Sequence, residues 1–253
     1  MTLKTPRAAL TGLAALAAAA TLTPTAAEAV MVTVEVDSGA GFVLLGTVEA
    51  FVANAANDPS AATPDLAAAT YYGLTDGTAP AAGGPGTLPD GIVSHFVVVN
   101  EGLSFVTRLN GPGGEAGQAS ATLDVTTAPA PSLQVSDEPG EAQEVGPPGL
   151  GVFSANWTWV ADFSDGLMVG ALSPGAVLVM NIQPASGSFG AAGWRVPSSS
   201  GPSLIVDAGG FDSLSLRSRV VPLPPAGAAL ALGLGALALH ARRRAGRGGA
   251  PRQ

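Results

Sequence analysis

The chain has 253 residues, with 19 Asp plus Glu against 11 Lys plus Arg, and no cysteine. An acidic surface repels phosphates, so nucleic acid is excluded as a partner. Without cysteine there are no disulfides, and the fold must be held by its own core.

Lys4 and Arg7 open the chain, residues 8–22 are almost wholly apolar, and Ala27-Glu28-Ala29 supplies small residues where a signal peptidase reads. These three regions have the form of a secretory signal over residues 1–29, cut after Ala29. Residues 30–219 then carry eighteen acidic side chains against four arginines (Arg108, Arg195, Arg217, Arg219), a formal charge of −14. About 190 residues suffice for one domain with its own core.

Periodicity decides the class of that domain. Val30, Val32, Val34 and Val36 alternate with Met31, Thr33 and Glu35, the period of a strand with one buried face. Short runs of the same kind recur at 42–45, 48–52, 93–99, 104–109, 119–126, 132–135, 157–163, 167–172, 176–182, 191–196, 203–206 and 213–220, nearly all separated by Gly, Pro, Asn or Asp. Many short strands broken by turn residues predict an all-β fold, an antiparallel β-sandwich of jelly-roll-like form. Ser164-Asp165-Gly166 and Ser173-Pro174-Gly175 each read as a hairpin turn with its required glycine. One short peripheral helix is expected over residues 66–72, with Thr63 as cap, Pro64 in the first position, Asp65 at the positive end and Gly73 as stop. It should pack Leu66 and a tyrosine onto an edge of the sheet. Residues 79–91 and 128–151 read as loops; the second is either a linker between subdomains or, as preferred here, a long surface excursion.

Chemistry-bearing residues are few. His95 is the only histidine in the exported part, on a strand face shared with Val93 and Val97, and reads as a partly buried strand histidine. No Gly-x-Ser-x-Gly elbow accompanies it, and one histidine without cysteine cannot assemble the usual zinc ligand sets. No catalytic residue is assigned and the expectation is a non-enzyme. Trp157 and Trp159 share one strand face two residues apart, as a sugar-stacking platform would, although such area is more often core. Asp162 with Asp165, or Asp207 with Asp212, could join backbone carbonyls around calcium, but neither pair forms a calcium-loop motif; no metal ligand and no cofactor is assigned. Asn156-Trp157-Thr158 has the form of a glycosylation acceptor at a poor site, a strand start. Gly111-Pro112-Gly113-Gly114 lacks the lysine of a phosphate loop.

The C-terminal stretch is the most specific. Residues 220–225 hold Val221-Pro222-Leu223-Pro224-Pro225, residues 226–240 read as a transmembrane helix that is apolar from 226 to 239, and residues 241–253 carry Arg242, Arg243, Arg244, Arg247 and Arg252. The charge-free part, 226–239, rises only about 21 Å as a helix, short of a hydrocarbon core of roughly 30 Å. Flanking residues and snorkelling arginines make up a marginal span. The prolines keep the segment before it extended and let the helix start at or just after Pro225. Arginines directly after an apolar run stay on the cytoplasmic side, which puts the preceding body outside.

At these residues the tail resembles the PEP-CTERM family of bacterial sorting signals, in the variant whose motif reads Val-Pro-Leu-Pro-Ala; Pro225 stands where that variant has Ala. The resemblance covers only residue 221 to about residue 244. It implies recognition by an exosortase-type membrane transpeptidase that cuts near the motif and passes the body to the cell surface or extracellular matrix. The expectation is therefore an exported surface or matrix protein acting through adhesion or association with exopolysaccharide. The alternative is a carbohydrate-binding or carbohydrate-cleaving module on the same sandwich, using Trp157 or Trp159. A simple membrane anchor without a sorting step is a third.

Overall fold

The computed structural model describes residues 29–37, 39–56, 63–74, 84–85, 91–109, 116–161, 164–186, 193–206 and 213–221. The signal segment, the end of the sorting motif, the apolar run and the basic tail expected from the sequence lie outside these.

Among the described residues, fourteen strands build two sheets. The first sheet runs β2 (Val43–Glu49), β1 (Met31–Asp37), β14 (Leu214–Val220), β11 (Val177–Ser186), β6 (Gly117–Thr126), β9 (Val152–Trp159), β8 (Ala142–Glu144). The second runs β13 (Leu204–Val206), β12 (Trp194–Val196), β4 (Ile92–Val99), β5 (Gly102–Leu109), β10 (Asp165–Leu172), β7 (Ser132–Ser136), with β3 (Phe51–Val52) on β4. The all-β, two-sheet class expected from the alternating valines is the one observed, and the sheets face each other as in a sandwich.

Alternation fixes which face is buried. In β1, Val32 and Val34 point inward; in β6, Ala119, Ala121, Leu123 and Val125 do so, each followed by an outward polar residue. The inward rows of both sheets interlock in one core, with Phe153, Trp157, Leu178 and Met180 from the first sheet meeting Phe96, Phe105, Leu167 and Trp194 from the second.

Three expectations are corrected. Pairing is not wholly antiparallel, because β3 and β12 both pair with β4 in parallel. A parallel pair needs a crossover, and between β3 and β4 the chain passes through the one helix among the described residues, α1 (Ala68–Leu74). That helix begins later than expected and continues through Gly73. Its first amide, Ala68 N, donates to Glu101 Oε2 (3.0 Å), while Asp65 Oδ1 accepts from Ala55 N, so the terminal carboxylate comes from the β4–β5 turn. It lies on the outer face of the second sheet, not at an edge. There Leu66, Ala68, Tyr71 and Tyr72 form a second apolar cluster with Phe51, Val97, Val99, Val106 and Met168.

Neither predicted hairpin is one. Ser173-Pro174-Gly175 does form a tight turn, with Ala176 N donating to Ser173 O (2.9 Å) and Gly175 at φ +85°, but it joins β10 to β11 in opposite sheets. Asp165 and Gly166 open β10 itself, so the link from β9 also crosses between sheets. The excursion over 128–151 carries β7 and β8, one at the edge of each sheet.

Candidate functional site

Trp157 is 1% exposed at the centre of the core, and Trp159 is half-buried against the same core. Trp159 lies over Gly117, where a Cβ would come within 2.5 Å of its Cζ2. Both rings pack on the core, the default reading of such large apolar area, and the possible stacking platform is not open to a sugar. The reason is the one that makes tryptophan a core residue: burying its large apolar area outweighs a solvent-facing position.

The other face of that strand is open. Ser154 and Asn156 of β9 lie beside Thr122 and Ser120 of β6, which lie beside Asn181 and Gln183 of β11. Short hydroxyl side chains between longer amides leave a furrow of about 190 Å³ across three strands, floored by the backbone at Ala121 and Ala155. No ionisable side chain lines it. Asn181 Nδ2 donates to Ser215 Oγ (2.8 Å), which fixes that amide and extends the polar row to β14. Asn156, expected at a strand start, is exposed in the middle of β9.

Charge flanks the furrow at Asp124 of β6 and, beyond β11, at Arg217 of β14. Arg217 pairs with Glu35 and stacks over Phe42, its Cζ 4.2 Å from the ring centroid. The hydrogen bond from Arg217 holds the Glu35 carboxyl below its ordinary range; both side chains are about a third exposed, so the pair adds little stability.

His95 is fully buried rather than partly, on the outer face of the second sheet beneath α1. Its Nε2 is 2.8 Å from Tyr71 Oη, and Phe51 meets its ring edge-on. Burial, with a smaller contribution from the Arg108 charge, lowers its pKa to about 3; burial also raises that of Tyr71. The pair is a neutral hydrogen bond inside a packed layer. Arg108, 0% exposed, donates from Nη2 to Ser164 Oγ (2.7 Å) and lies 4.9 Å from the centroid of Tyr72. Sequence reasoning missed this buried arginine, because a charged residue in an alternating strand is by default assigned to solvent.

Asp165 is also buried. Its Oδ2 accepts from Thr158 N (3.1 Å), and burial together with the hydrogen-bonded Glu141 carboxyl and the nearby Asp137 raises its pKa to about 8. Asp162, Asp207 and Asp212, the other members of the two calcium-type pairs, lie outside the described residues, as do Pro222 to Pro225, Arg242 to Arg244, and Ala27. Among the described residues no three metal-ligating side chains converge, and no helix is long and apolar enough to cross a membrane. Fold and furrow together define a two-sheet β protein with an uncharged polar groove on one open sheet face. No protein-family model, curated protein or solved structure matches the chain.

Proposed function

We propose that this is an exported, non-enzymatic surface or matrix protein, delivered by an N-terminal secretory signal and handled at its C-terminus by an exosortase-like enzyme of the membrane. Its body, read as a jelly-roll-like sandwich because the chain passes repeatedly between the two sheets, acts outside the cell through adhesion or association with exopolysaccharide. The observation that carries the reading is the order of motif, apolar run and arginines in residues 221–244. Arginine-rich ends resist translocation, and a proline-stiffened segment beside the bilayer suits a protease.

The fold is compatible with removal of both ends. Val221, the first residue of the motif, donates its amide to Met31 O (2.8 Å), the first residue of β1. Among the described residues the buried core runs from Val32 to Val220, between the two expected processing points.

The test is replacement of Pro222 and Pro224 by Ala. Release from the membrane should change while the folded body keeps its melting temperature; unchanged release counts against sorting. The carbohydrate-module reading is retained for binding alone, on the open face that the furrow occupies; its tryptophan platform is withdrawn.

A further inference from the structure

The outward face of β11, β6 and β9 has the opposite character from the chain as a whole. The region 30–219 carries a formal charge of −14, yet the six side chains around the furrow, Ser120, Thr122, Ser154, Asn156, Asn181 and Gln183, are all uncharged amides and hydroxyls. Outward positions of a solvated sheet ordinarily mix in lysine and glutamate. Here the nearest outward charges, Asp124 two residues past Thr122 on β6 and Arg217 on the neighbouring β14, stand outside the lining.

We propose that this furrow binds a neutral polysaccharide through its hydroxyl groups, an inference that deepens the surface-protein reading and rests on it. Each lining amide offers both a donor and an acceptor, and each hydroxyl offers both roles, matching a sugar hydroxyl, which also does both. Adjacent strands lie about 4.8 Å apart, so the lining repeats across the sheet at a spacing comparable with a sugar ring. Ser215 fixes the amide of Asn181, so less rotamer entropy is lost on binding. An acidic polymer is disfavoured by the charge of the surrounding body, and a nucleic acid for the same reason.

Position supports the same occupant. The tie between Val221 and Met31 marks where both termini leave the first sheet, beside Val177 of β11. Asn181 lies four residues farther along that strand, roughly 13 Å at 3.3 Å per residue. The furrow is thus set toward the end of the sheet away from the tether, where an extracellular polymer reaches it.

Without an aromatic platform each site is weak, so a chain of sugars should be held by several copies at once. Electrophoresis of the exported protein in native gels cast with dextran or with a linear β-glucan measures this, with alginate as the acidic comparison. At least one neutral gel should retard the protein and alginate should not. The double variant Asn156→Ala with Asn181→Ala should lose about tenfold in affinity, the order expected for two neutral hydrogen bonds, at an unchanged melting temperature. Thr47→Ala, on the edge strand β2, should bind as the unsubstituted protein does.

Retardation that survives the double variant, or that is equal in alginate, overturns the furrow as the site but leaves the surface-protein reading standing. Absence of retardation in every gel overturns both the furrow and the exopolysaccharide role, while the sorting step is judged separately by the mass of the exported product. If the double variant instead abolishes self-association in sedimentation, the occupant is a second copy of this chain and the glycan proposal fails.

Discussion

Val221 donates its backbone amide to the carbonyl of Met31 over 2.8 Å, and the neighbouring pair Val32 and Val220 continues the same antiparallel register. The first strand and the last strand of the domain are thus joined at one rim. The expected signal cleavage after Ala29 and the proline motif beginning at Val221 both adjoin that rim. Deletion of residues 222–253 should therefore leave the urea midpoint unchanged within error, whereas further deletion of 214–221 removes a central strand of the first sheet and should abolish cooperative unfolding. A large loss of stability on deleting only 222–253 would show that the tail belongs to the fold.

Trp157 distinguishes a core from a platform. Replacement by Ala should cost about 3–5 kcal/mol, as for a large buried aromatic, read from the urea midpoint. A cost below about 1 kcal/mol would mean that the ring is not packed between the sheets as described.

Gly166 sits where the second sheet has no room for a side chain. A Cβ there would lie 2.2 Å from Thr107 O and 2.7 Å from Tyr72 Oη. The backbone oxygen cannot move aside, so Gly166→Ala should destabilise by about 1–3 kcal/mol. Chemical denaturation checks it.

Ser218 places a hydroxyl in the core, fully buried, flanked in register by Val34 and Leu178. Its Oγ has no hydrogen-bond partner. Ser218→Ala removes an unpaired buried polar atom and should stabilise the domain by about 1 kcal/mol, measured as a rise in the urea midpoint.

Two buried groups impose opposite pH dependences. His95 falls from 6.5 to about 3 on folding, so between those values the unfolded chain binds a proton that the folded one does not, and stability drops as pH falls below 6.5. Asp165 rises from 3.8 to about 8, so its contribution is fully present below about pH 4 and is lost as pH rises toward 8. The slopes oppose each other between about 3.8 and 6.5, and above 6.5 only Asp165 acts of the two. Asp165→Asn should flatten the decline in melting temperature between pH 6.5 and 8, and His95→Gln the decline below 6.5. Unchanged profiles would contradict these assignments.

Local structure was legible in this sequence because alternation is a local property. Val32 and Val34, or Leu214 and Leu216, reveal a strand and its buried face without reference to any partner. Gly175 likewise reveals its turn. What the turn connects is not local, and so Ser173 to Gly175 was read as a hairpin although its two strands join opposite sheets. The start of β9 was missed because Ser154, Ala155 and Asn156 are small or polar and carry little strand preference. The furrow was invisible for a related reason: its six side chains come from three strands distant in sequence, and each alone reads as an ordinary solvent face. The depth of His95, Arg108 and Asp165 was not legible, since it comes from what packs on them: Tyr71 of α1 on His95, Tyr72 on Arg108, and Thr158 with Glu141 on Asp165.

The intact mass of the exported protein tests the central claim most directly. The account predicts a product that begins at Val30 and has lost residues after the motif that starts at Val221, recovered from the cell surface or medium. A product of the full encoded mass in the cytosol, still carrying residues 1–29, would contradict it.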